Sequence, residues 1–399
     1  MLEQVTAFVL KYKFILLFYA VILIFVIVKR KKFEFQAKII ALYRMKWGLA
    51  WMDKYSTKFR EWVILLGYIG AGIGFIGMIF ISYFLVKNLI TLFTTPAAAS
   101  GVSLVLPGMN IPGLGILPFW HWLIAIFVIA IVHEFSHGIV ARAHNIEVKN
   151  TGIVFFGPII GAFVEPDEKK MAKEKDITQY SVLAAGAFSN VLLALVALLL
   201  LTQVTTPLTQ SMVEPEGFTF DAYITAATPY PFEAAGIPTG TIITGLNNQN
   251  TKTFEEFHTA LATSKPGEQV IINTNEKDYT ITLASSPDEP GKGFLGISSI
   301  HNEATTKAAY QTGFAKVGYY ITDTLNTFFR WLFLLSLGIG LFNLLPLPIV
   351  DGGRMAQVFL HKLKGKEKGE KRFRQISLFF VLVLILSLIY PFLAKIFTA

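Results

Sequence analysis

The residues best suited to chemistry are two histidines and a glutamate on one apolar segment. Residues 117–143 are mostly apolar, and His133, Glu134 and His137 form an H-E-x-x-H pattern within them. On a helix, residues four apart lie on one face, so the two imidazoles can ligate one Zn²⁺. Glu134 lies on the flank of that face, where it can act as a general base toward water. The alternative is a set of solvated polar residues at the end of a membrane helix.

The third ligand of such a site must come from elsewhere, because catalytic zinc usually has three protein ligands and one open position. Glu165 and Glu168 are possible carboxylate ligands, but neither follows a clear helical pattern. Asp351 is the better candidate, since it follows nine uncharged residues and an isolated charge in a membrane needs a partner. Pro346 and Pro348 open the backbone just before it. The competing interpretation is that Asp351 caps the next helix.

The composition is that of a polytopic α-helical membrane protein. Of 399 residues, 53% are hydrophobic and only 16% are charged. The chain contains no cysteine, which excludes disulfides and thiolate metal sites. The net charge of +8 does not indicate nucleic acid, because the basic residues cluster in short loops beside apolar segments, as the positive-inside rule describes.

The loop charges and apolar segments predict about six transmembrane helices with both chain ends outside. In this topology the H-E-x-x-H motif and Asp351 both lie near the cytoplasmic face. The predicted spans are residues 7–28, 62–86, 117–143, 181–202, 319–345 and 376–397.

Two further segments do not have the character of a span. Residues 151–164 are apolar, rich in β-branched side chains and broken by Gly-Pro, which predicts a membrane-dipping β-hairpin, with a surface loop as the alternative. Residues 203–318 have the composition of a soluble domain with an excess of acidic residues, as expected outside the cell.

The predicted organisation is two accessory helices with a basic loop (1–92), a first core part (93–202), an extracytoplasmic α+β domain (203–318), a second core part (319–353), and a basic loop with a last helix (354–399).

Three motifs in this order resemble those of the site-2 protease family of intramembrane zinc metalloproteases. They are the H-E-x-x-H motif, Gly186-x-x-x-Asn190, and Asn343-x-x-Pro346-x-x-x-x-Asp351-Gly352. The stretch 161–167 also looks like the archaeal branch of the family.

The resemblance implies a role for each matching residue. His133, His137 and Asp351 would bind one zinc ion per chain, and Glu134 would activate water. Asn343 and Asn190 would hydrogen-bond the substrate or its oxyanion. The remaining candidate substrate-binding residues are Phe163, Val164 and Pro346.

The inserted domain resembles the PDZ domains of proteases in residues 231–243, which read as a helix, a turn and a strand. Such domains bind extended peptides by strand addition and can hold a C-terminal carboxylate. Residues 293–297 are the candidate carboxylate loop. The alternative is a steric filter that binds no peptide.

The expected function is therefore proteolysis of membrane-anchored regulators within or near their transmembrane helices, after trimming by another protease. The expected location is the cell membrane of a prokaryote of archaeal type, and the expected partners are the substrate and the lipid bilayer. Two other classes stay open: an inactive zinc-bearing receptor or scaffold with a PDZ-like module, and a cation transporter.

Overall fold

Long helices and short strands make up this chain. The computed structural model describes residues 2–36, 40–94, 101, 105–111, 115–156, 159–224, 228–287 and 289–398. The helices in these ranges are α1 (Leu2–Val28), α2 (Leu49–Lys58), α3 (Arg60–Thr94), α4 (Phe119–Ala143), α5 (Glu168–Met171), α6 (Asp176–Leu200), α7 (Thr206–Met212), α8 (Pro231–Ala234), α9 (Phe254–Leu261), α10 (Gly313–Phe342), α11 (Asp351–Lys364) and α12 (Lys366–Thr398). The strands are β1 (Phe33–Gln36), β2 (Ile40–Met45), β3 (Asn110–Ile111), β4 (Gly115–Ile116), β5 (Val148–Phe156), β6 (Ile159–Pro166), β7 (Val213–Tyr223), β8 (Ile243–Leu246), β9 (Gln249–Asn250), β10 (Gln269–Thr274), β11 (Tyr279–Thr282), β12 (Ala284–Ser285), β13 (Gly293–Phe294) and β14 (Ile297–Thr306).

Five helices among the described residues are long and apolar enough to cross a membrane. They are α3, α4, the continuous helix Asp176–Met212, in which the π-helical stretch Leu201–Thr205 joins α6 to α7, α10, and the Lys366–Tyr390 part of α12. The first predicted span lies on α1, whose apolar stretch Tyr12–Val28 is shorter. The prediction of a polytopic helical membrane protein is confirmed, and the count of six spans stays a prediction.

The chain forms two compact units. The membrane unit comprises Met1–Gly108, Pro118–Leu199 and Phe328–Ala399, and the sheet unit comprises Met109–Leu117 and Leu200–Thr327. The predicted domain boundaries, including 203–318, stay predictions.

Small residues on α3 allow the helices of the membrane unit to pack closely. A Cβ at Gly67 would lie 2.2 Å from the hydroxyl of Ser181 on α6, and a Cβ at Gly74 would lie 3.0 Å from Met355 on α11. A Cβ at Gly72, by contrast, would meet no described atom within 4 Å. One face of α3 therefore packs against the helices that carry the site, and Gly72 lies off that face.

The membrane unit also contains a sheet of strand order β1–β2–β5–β6. Its β5–β6 pair is the hairpin that the sequence predicted at 151–164, and residues 157–158 lie outside the described residues. Strands β1 and β2 are a finding, because the sequence indicated only a basic cytoplasmic loop there. Phe33 of β1 packs edge-on against Phe155 of β5, with ring centroids 5.7 Å apart, and both are buried.

An ion pair between β2 and β6 connects the strands β1 and β2 to the β5–β6 hairpin. Arg44 on β2 donates to both carboxylate oxygens of Glu165 on β6, at 2.8 and 3.1 Å. These hydrogen bonds from Arg44 hold the pKa of Glu165 below its ordinary value. Asn150 on β5 donates to the same carboxylate at 2.9 Å. The Glu165 carboxylate therefore stabilises the sheet through its bonds to Arg44 and Asn150.

The sheet unit is built on strands in the order β11–β10–β8–β7–β14, with β9 paired to β8. Alternation along β7 turns Phe218 and Phe220 into a core that also holds Phe232 and Phe257, all four fully buried. Helix α9 begins after Thr253, whose hydroxyl accepts a hydrogen bond from the Glu256 N–H at 3.3 Å. Strands and helices are thus present as the α+β prediction required, and assignment to the PDZ class stays a prediction.

Candidate metal centre

The first two candidate ligands lie one turn apart on α4. Because the helix is continuous through both, His133 and His137 project from one face, and their Nε2 atoms are 3.2 Å apart. Their side chains are only 11% and 12% exposed. Two buried imidazoles that converge through the same nitrogen favour a shared partner, because a buried polar group without one costs free energy.

Asp351 supplies the third donor from the far side of a break in the helix. Helix α10 ends at Phe342, the two prolines prevent its continuation, and α11 begins at Asp351 itself. The N-cap position belongs to Val350, so Asp351 is not the capping residue of the competing interpretation. Its Oδ2 lies 3.1 Å from His133 Nε2 and 3.3 Å from His137 Nε2.

The three donor atoms fit a tetrahedral zinc ion. Zinc bonds to imidazole nitrogen and carboxylate oxygen are about 2.0–2.1 Å long, so two ligands at the tetrahedral angle lie about 3.3–3.4 Å apart. The three separations in this chain are 3.1, 3.2 and 3.3 Å. Two histidines and one carboxylate are also a donor set of catalytic zinc, which keeps its fourth position open.

Helix α6 holds the other side of both imidazoles. The carbonyl oxygen of Val182 lies 2.7 Å from His137 Nδ1, and the side-chain nitrogen of Asn190 lies 3.1 Å from His133 Nδ1. Between them, a Cβ at Gly186 would lie 2.3–2.5 Å from ring atoms of the two histidines. Only glycine therefore lets α6 approach closely enough to touch both ligands.

Glu134 is oriented by the hairpin. The Val164 N–H on β6 donates to Glu134 Oε2 at 3.0 Å, which fixes the orientation of the carboxylate. Glu134 follows His133 directly and so lies about 100° around the helix from it. The carboxylate is thereby held beside the donor triangle without being part of it, as a general base requires.

Two cavities meet at the donor triangle, and Glu134 and Asp351 line both. The smaller, of about 190 Å³, has polar walls that include Glu168 and Arg354, which form an ion pair at 3.0 Å. The larger, of about 320 Å³, has walls of mixed polarity, in which apolar side chains of α4, β6, α10 and the segment before α11 lie beside the donor residues and two asparagines. The site thus has a polar side that suits water and a side of mixed polarity, whose apolar side chains suit a membrane-derived peptide.

The structure brings most of the predicted site residues together. Asn343 and Asn190 line the larger cavity, and Val164 lines the smaller one. Phe163 points elsewhere, with its ring over Gly152 on β5. Pro346 is buried, and its carbonyl accepts a hydrogen bond from Ser377 on α12 at 2.8 Å. The substrate-binding roles of these residues stay predictions.

Sequence reasoning missed two contributors to the site. Val182 acts through its backbone carbonyl, which every residue carries, so no signal in the sequence could have identified it. Arg354 could have been found, because it lies one turn beyond Asp351 on α11 and therefore near the same face.

Comparisons with known proteins agree with this geometry. A family model described as "Peptidase family M50" matches residues 121–388 of this chain, a range that includes all three candidate ligands and Glu134. This chain belongs to peptidase family M50. The resemblance to site-2 proteases, and the expectation of a membrane hydrolase of the zinc metalloprotease class, are thereby confirmed.

Relatives of this M50 chain cover different shares of it. An uncharacterised protein of Methanocaldococcus jannaschii is 25% identical over 340 residues, which are 82% of this chain and 80% of that protein. The zinc metalloprotease RasP of Shouchella clausii is 26% identical over 200 residues, 40% of this chain and 47% of RasP. RasP of Oceanobacillus iheyensis is 27% identical over 179 residues, 34% and 42% of the two chains. The matches therefore span less than half of RasP, whereas the similarity to the archaeal protein is broad.

Proposed function

We propose that this M50 chain is an intramembrane zinc protease that cleaves membrane-anchored regulators within or near their transmembrane helices. The observation that carries the proposal is the convergence of His133, His137 and Asp351 at zinc-binding distances beside Glu134. The H-E-x-x-H residues lie on α4, which is apolar enough to span a bilayer, so the reaction would take place at membrane depth.

Each residue of the centre has a task in hydrolysis. Zinc, when bound, polarises the scissile carbonyl and makes water easier to deprotonate. Glu134 accepts a proton from the attacking water and delivers it to the leaving amine, while its bond to the Val164 N–H keeps it aimed. Asn343 lies on the wall of the larger cavity, where its amide can donate a hydrogen bond to the developing oxyanion.

The substrate would bind as an extended strand on the edge of β6, because a helical peptide bond hides its carbonyl from attack. In the described part of the chain, β6 is the last strand of its sheet, and its Val164 N–H already points outward to Glu134. Alternation then places the outward N–H and C=O groups on Ala162 and Ile160. Ile160 and Ala162 both line the larger cavity, where an unwound segment could pair with them.

A proline at Ala162 tests this edge. Ala162→Pro removes a donor that points away from β5, so the β5–β6 pairing is expected to survive while cleavage of a membrane substrate falls strongly. Ala162→Gly is the matched control, since it keeps the N–H. Equal cleavage by the proline variant and the wild type would contradict strand addition at this edge.

The decisive experiment measures turnover and zinc together. The full chain is reconstituted in liposomes with a fluorescent single-span substrate, and cleavage and zinc per chain are measured for the wild type, Glu134→Gln and the exposed control Glu147→Gln. We expect Glu134→Gln to keep zinc and to lose cleavage by about 10²-fold or more. Zinc binding without turnover by the wild type would favour the receptor or scaffold, and zinc flux across the membrane would favour the transporter.

The orientation in the membrane can be tested because the chain contains no cysteine. The excess of Lys and Arg near the start of α12 supports a cytoplasmic location for this end and an outside location for the sheet unit. In intact cells, a membrane-impermeant maleimide should label Glu276→Cys and should reach Lys368→Cys only after the membrane is opened. The opposite pattern would reverse the proposed topology.

The sheet unit has a groove that favours a second role, recognition of a trimmed substrate end. A cavity of about 360 Å³ lies between α9 and the start of β14, and residues 293–297 form part of its wall. Among the described strands, β14 is last in the sheet order, so one edge is open to an extended peptide. Leu261 and Ile297 give the groove an apolar wall, as a C-terminal apolar residue would need.

Peptide binding distinguishes recognition from a steric filter. A fluorescent peptide that ends in valine with a free carboxylate should bind the full chain, and its amidated form should bind at least about tenfold more weakly. Ile300→Glu on the groove wall should abolish binding, whereas Thr280→Glu on the exposed face of β11 should not. No binding of either peptide would leave the steric filter as the role of this unit.

A further inference from the structure

Asn190 is a fully buried polar residue in which one atom of the side-chain amide has a hydrogen-bond partner and the other has none among the described residues. Its side chain is at 0% exposure on α6, and its Nδ2 lies 3.1 Å from His133 Nδ1. Its Oδ1 is also buried and has no hydrogen-bond partner within the part of the chain that the structure describes. A buried amide oxygen without a partner is costly, so this arrangement needs an explanation.

This orientation of the amide conflicts with metal binding at His133. If Asn190 Nδ2 donates to His133 Nδ1, the ring proton must sit on Nε2, the atom that converges with His137 and Asp351. The two ends of an amide have nearly the same shape, so their assignment follows from the hydrogen bonds. Exchanging them lets Asn190 Oδ1 accept from the His133 Nδ1–H. The exchange gives the oxygen a partner and leaves Nε2 free for metal. It also moves the amide NH2 to the position that Oδ1 held, on a residue that lines the larger cavity.

The second histidine already shows this arrangement on the same helix. The carbonyl oxygen of Val182 accepts from the His137 Nδ1–H at 2.7 Å, which leaves His137 Nε2 free for metal. Val182, Gly186 and Asn190 are spaced by four residues and therefore lie along one face of α6. One helix face thus offers an acceptor to each imidazole, with glycine between them where space is needed.

Helix α10 holds Asn190 in place. The hydroxyl of Ser336 donates to the backbone carbonyl of Asn190 at 2.7 Å. A Cβ at Gly340 would lie only 3.1 Å from the Asn190 Cβ, so α10 packs directly against this residue. A side chain fixed in this way can define the orientation of its neighbour.

We propose that Asn190 is a positioning residue that accepts the His133 Nδ1–H through Oδ1 and so holds His133 in its metal-binding tautomer. The proposal rests on the zinc site of the proposed function. It gives Asn190 a task toward the metal, whereas the resemblance implied a task toward the substrate. It also explains why an amide and not an apolar residue occupies this buried position.

The test measures metal affinity and metal geometry in the purified full chain, apart from any activity. Zinc is removed with a chelator, and its affinity is then measured against a chromogenic competitor for the wild type, Asn190→Leu, Asn190→Asp and the neighbouring control Ser189→Ala. Cobalt is loaded in parallel, because its visible spectrum reports ligand geometry. Unfolding of the metal-free proteins shows whether each variant folds.

We expect Asn190→Leu to weaken zinc about 10–100-fold and to change the cobalt spectrum. Asn190→Asp keeps an acceptor and should restore affinity to within a few-fold of the wild type, and Ser189→Ala should match the wild type. Wild-type affinity in Asn190→Leu, or equal weakening in Asn190→Leu and Asn190→Asp, overturns this inference while the zinc site stands. A wild-type chain that binds no zinc overturns the proposed function and this inference with it.

Discussion

The membrane unit and the sheet unit bury different kinds of side chain. In the membrane unit, His133 and Asn190 are buried beside each other, and Asp351 converges on the same point. In the sheet unit, the largest buried side chains are apolar, among them Phe218 and Phe257. Burying polar groups costs free energy unless they are paired, so a polar cluster inside a membrane protein indicates function. An apolar core indicates only that a domain folds.

The two units also differ in how precisely the atoms of their candidate sites must be placed. The metal centre depends on three atoms that lie 3.1–3.3 Å apart, and small displacements would separate them. The groove of the sheet unit depends on shape over a volume of about 360 Å³, which many residue combinations can produce. Substitutions in the two units should therefore have separable effects on metal binding and on stability.

The largest expected effect is loss of zinc from the membrane unit. Asp351→Ala removes one of three ligands, so we expect loss of bound zinc and of cleavage. Glu165→Ala should keep near one zinc per chain, because that carboxylate is bonded to Arg44 and Asn150. Elemental analysis of purified protein measures both. Zinc retained in Asp351→Ala and lost in Glu165→Ala would place the third ligand on the hairpin instead.

The second-largest expected effect is a loss of stability in the sheet unit when a cavity is made in its core. Phe257→Ala removes a fully buried ring and should lower the free energy of unfolding of that unit by about 3–5 kcal/mol. Zinc affinity should stay unchanged, which would show that the stability of the sheet unit and metal binding in the membrane unit can be altered separately. Chemical denaturation and zinc titration check the two parts, with the exposed Glu276→Ala as control. A parallel loss of zinc affinity would show that the units are coupled.

A smaller and more local effect is expected at Gly186. The added methyl of Gly186→Ala would overlap the ring atoms of both histidines and push α6 away from them, at a cost of about 1–3 kcal/mol. We expect zinc affinity to fall by about tenfold or more. Gly72→Ala is the matched control, because its methyl would enter open space. Equal zinc affinity in both variants would mean that α6 does not limit the site.

The smallest expected effect is a dependence of stability on pH through Arg44 and Glu165. The lowered pKa of Glu165 means that this contact stabilises the folded state above the ordinary value of 4.5, and that the gain is lost as pH falls through the lowered value. Because the pair is partly exposed, Arg44→Gln should destabilise the protein by no more than about 1 kcal/mol at pH 7.

Thermal unfolding of the wild type and Arg44→Gln at pH 7 and near pH 3 measures this contact. The difference between the two proteins should shrink at low pH, and Arg44→Lys should fall between them because it keeps the charge without the forked geometry. A difference that stays constant with pH would show that Arg44 acts through packing alone.

Some features could be predicted because they depend on neighbours in the chain. The four-residue spacing of His133 and His137 determines a shared helix face, and the isolated charge of Asp351 indicates a buried partner. The hairpin at 151–164 was visible from its composition. Strands β1 and β2 were not, because their basic surroundings resemble a loop and because β2 pairs with the distant β5, while β1 pairs with β2.

By itself, the sequence determined the apolar helices, the position of the H-E-x-x-H motif on one of them and the break before Asp351, since these follow from local periodicity and backbone chemistry. Only the tertiary structure decided that α6 touches both imidazoles, that Glu134 is aimed by β6, and that the Phe163 ring lies over Gly152. Those contacts join residues far apart in sequence. Their geometry depends on how helices and strands pack, and no short stretch of the chain contains that information.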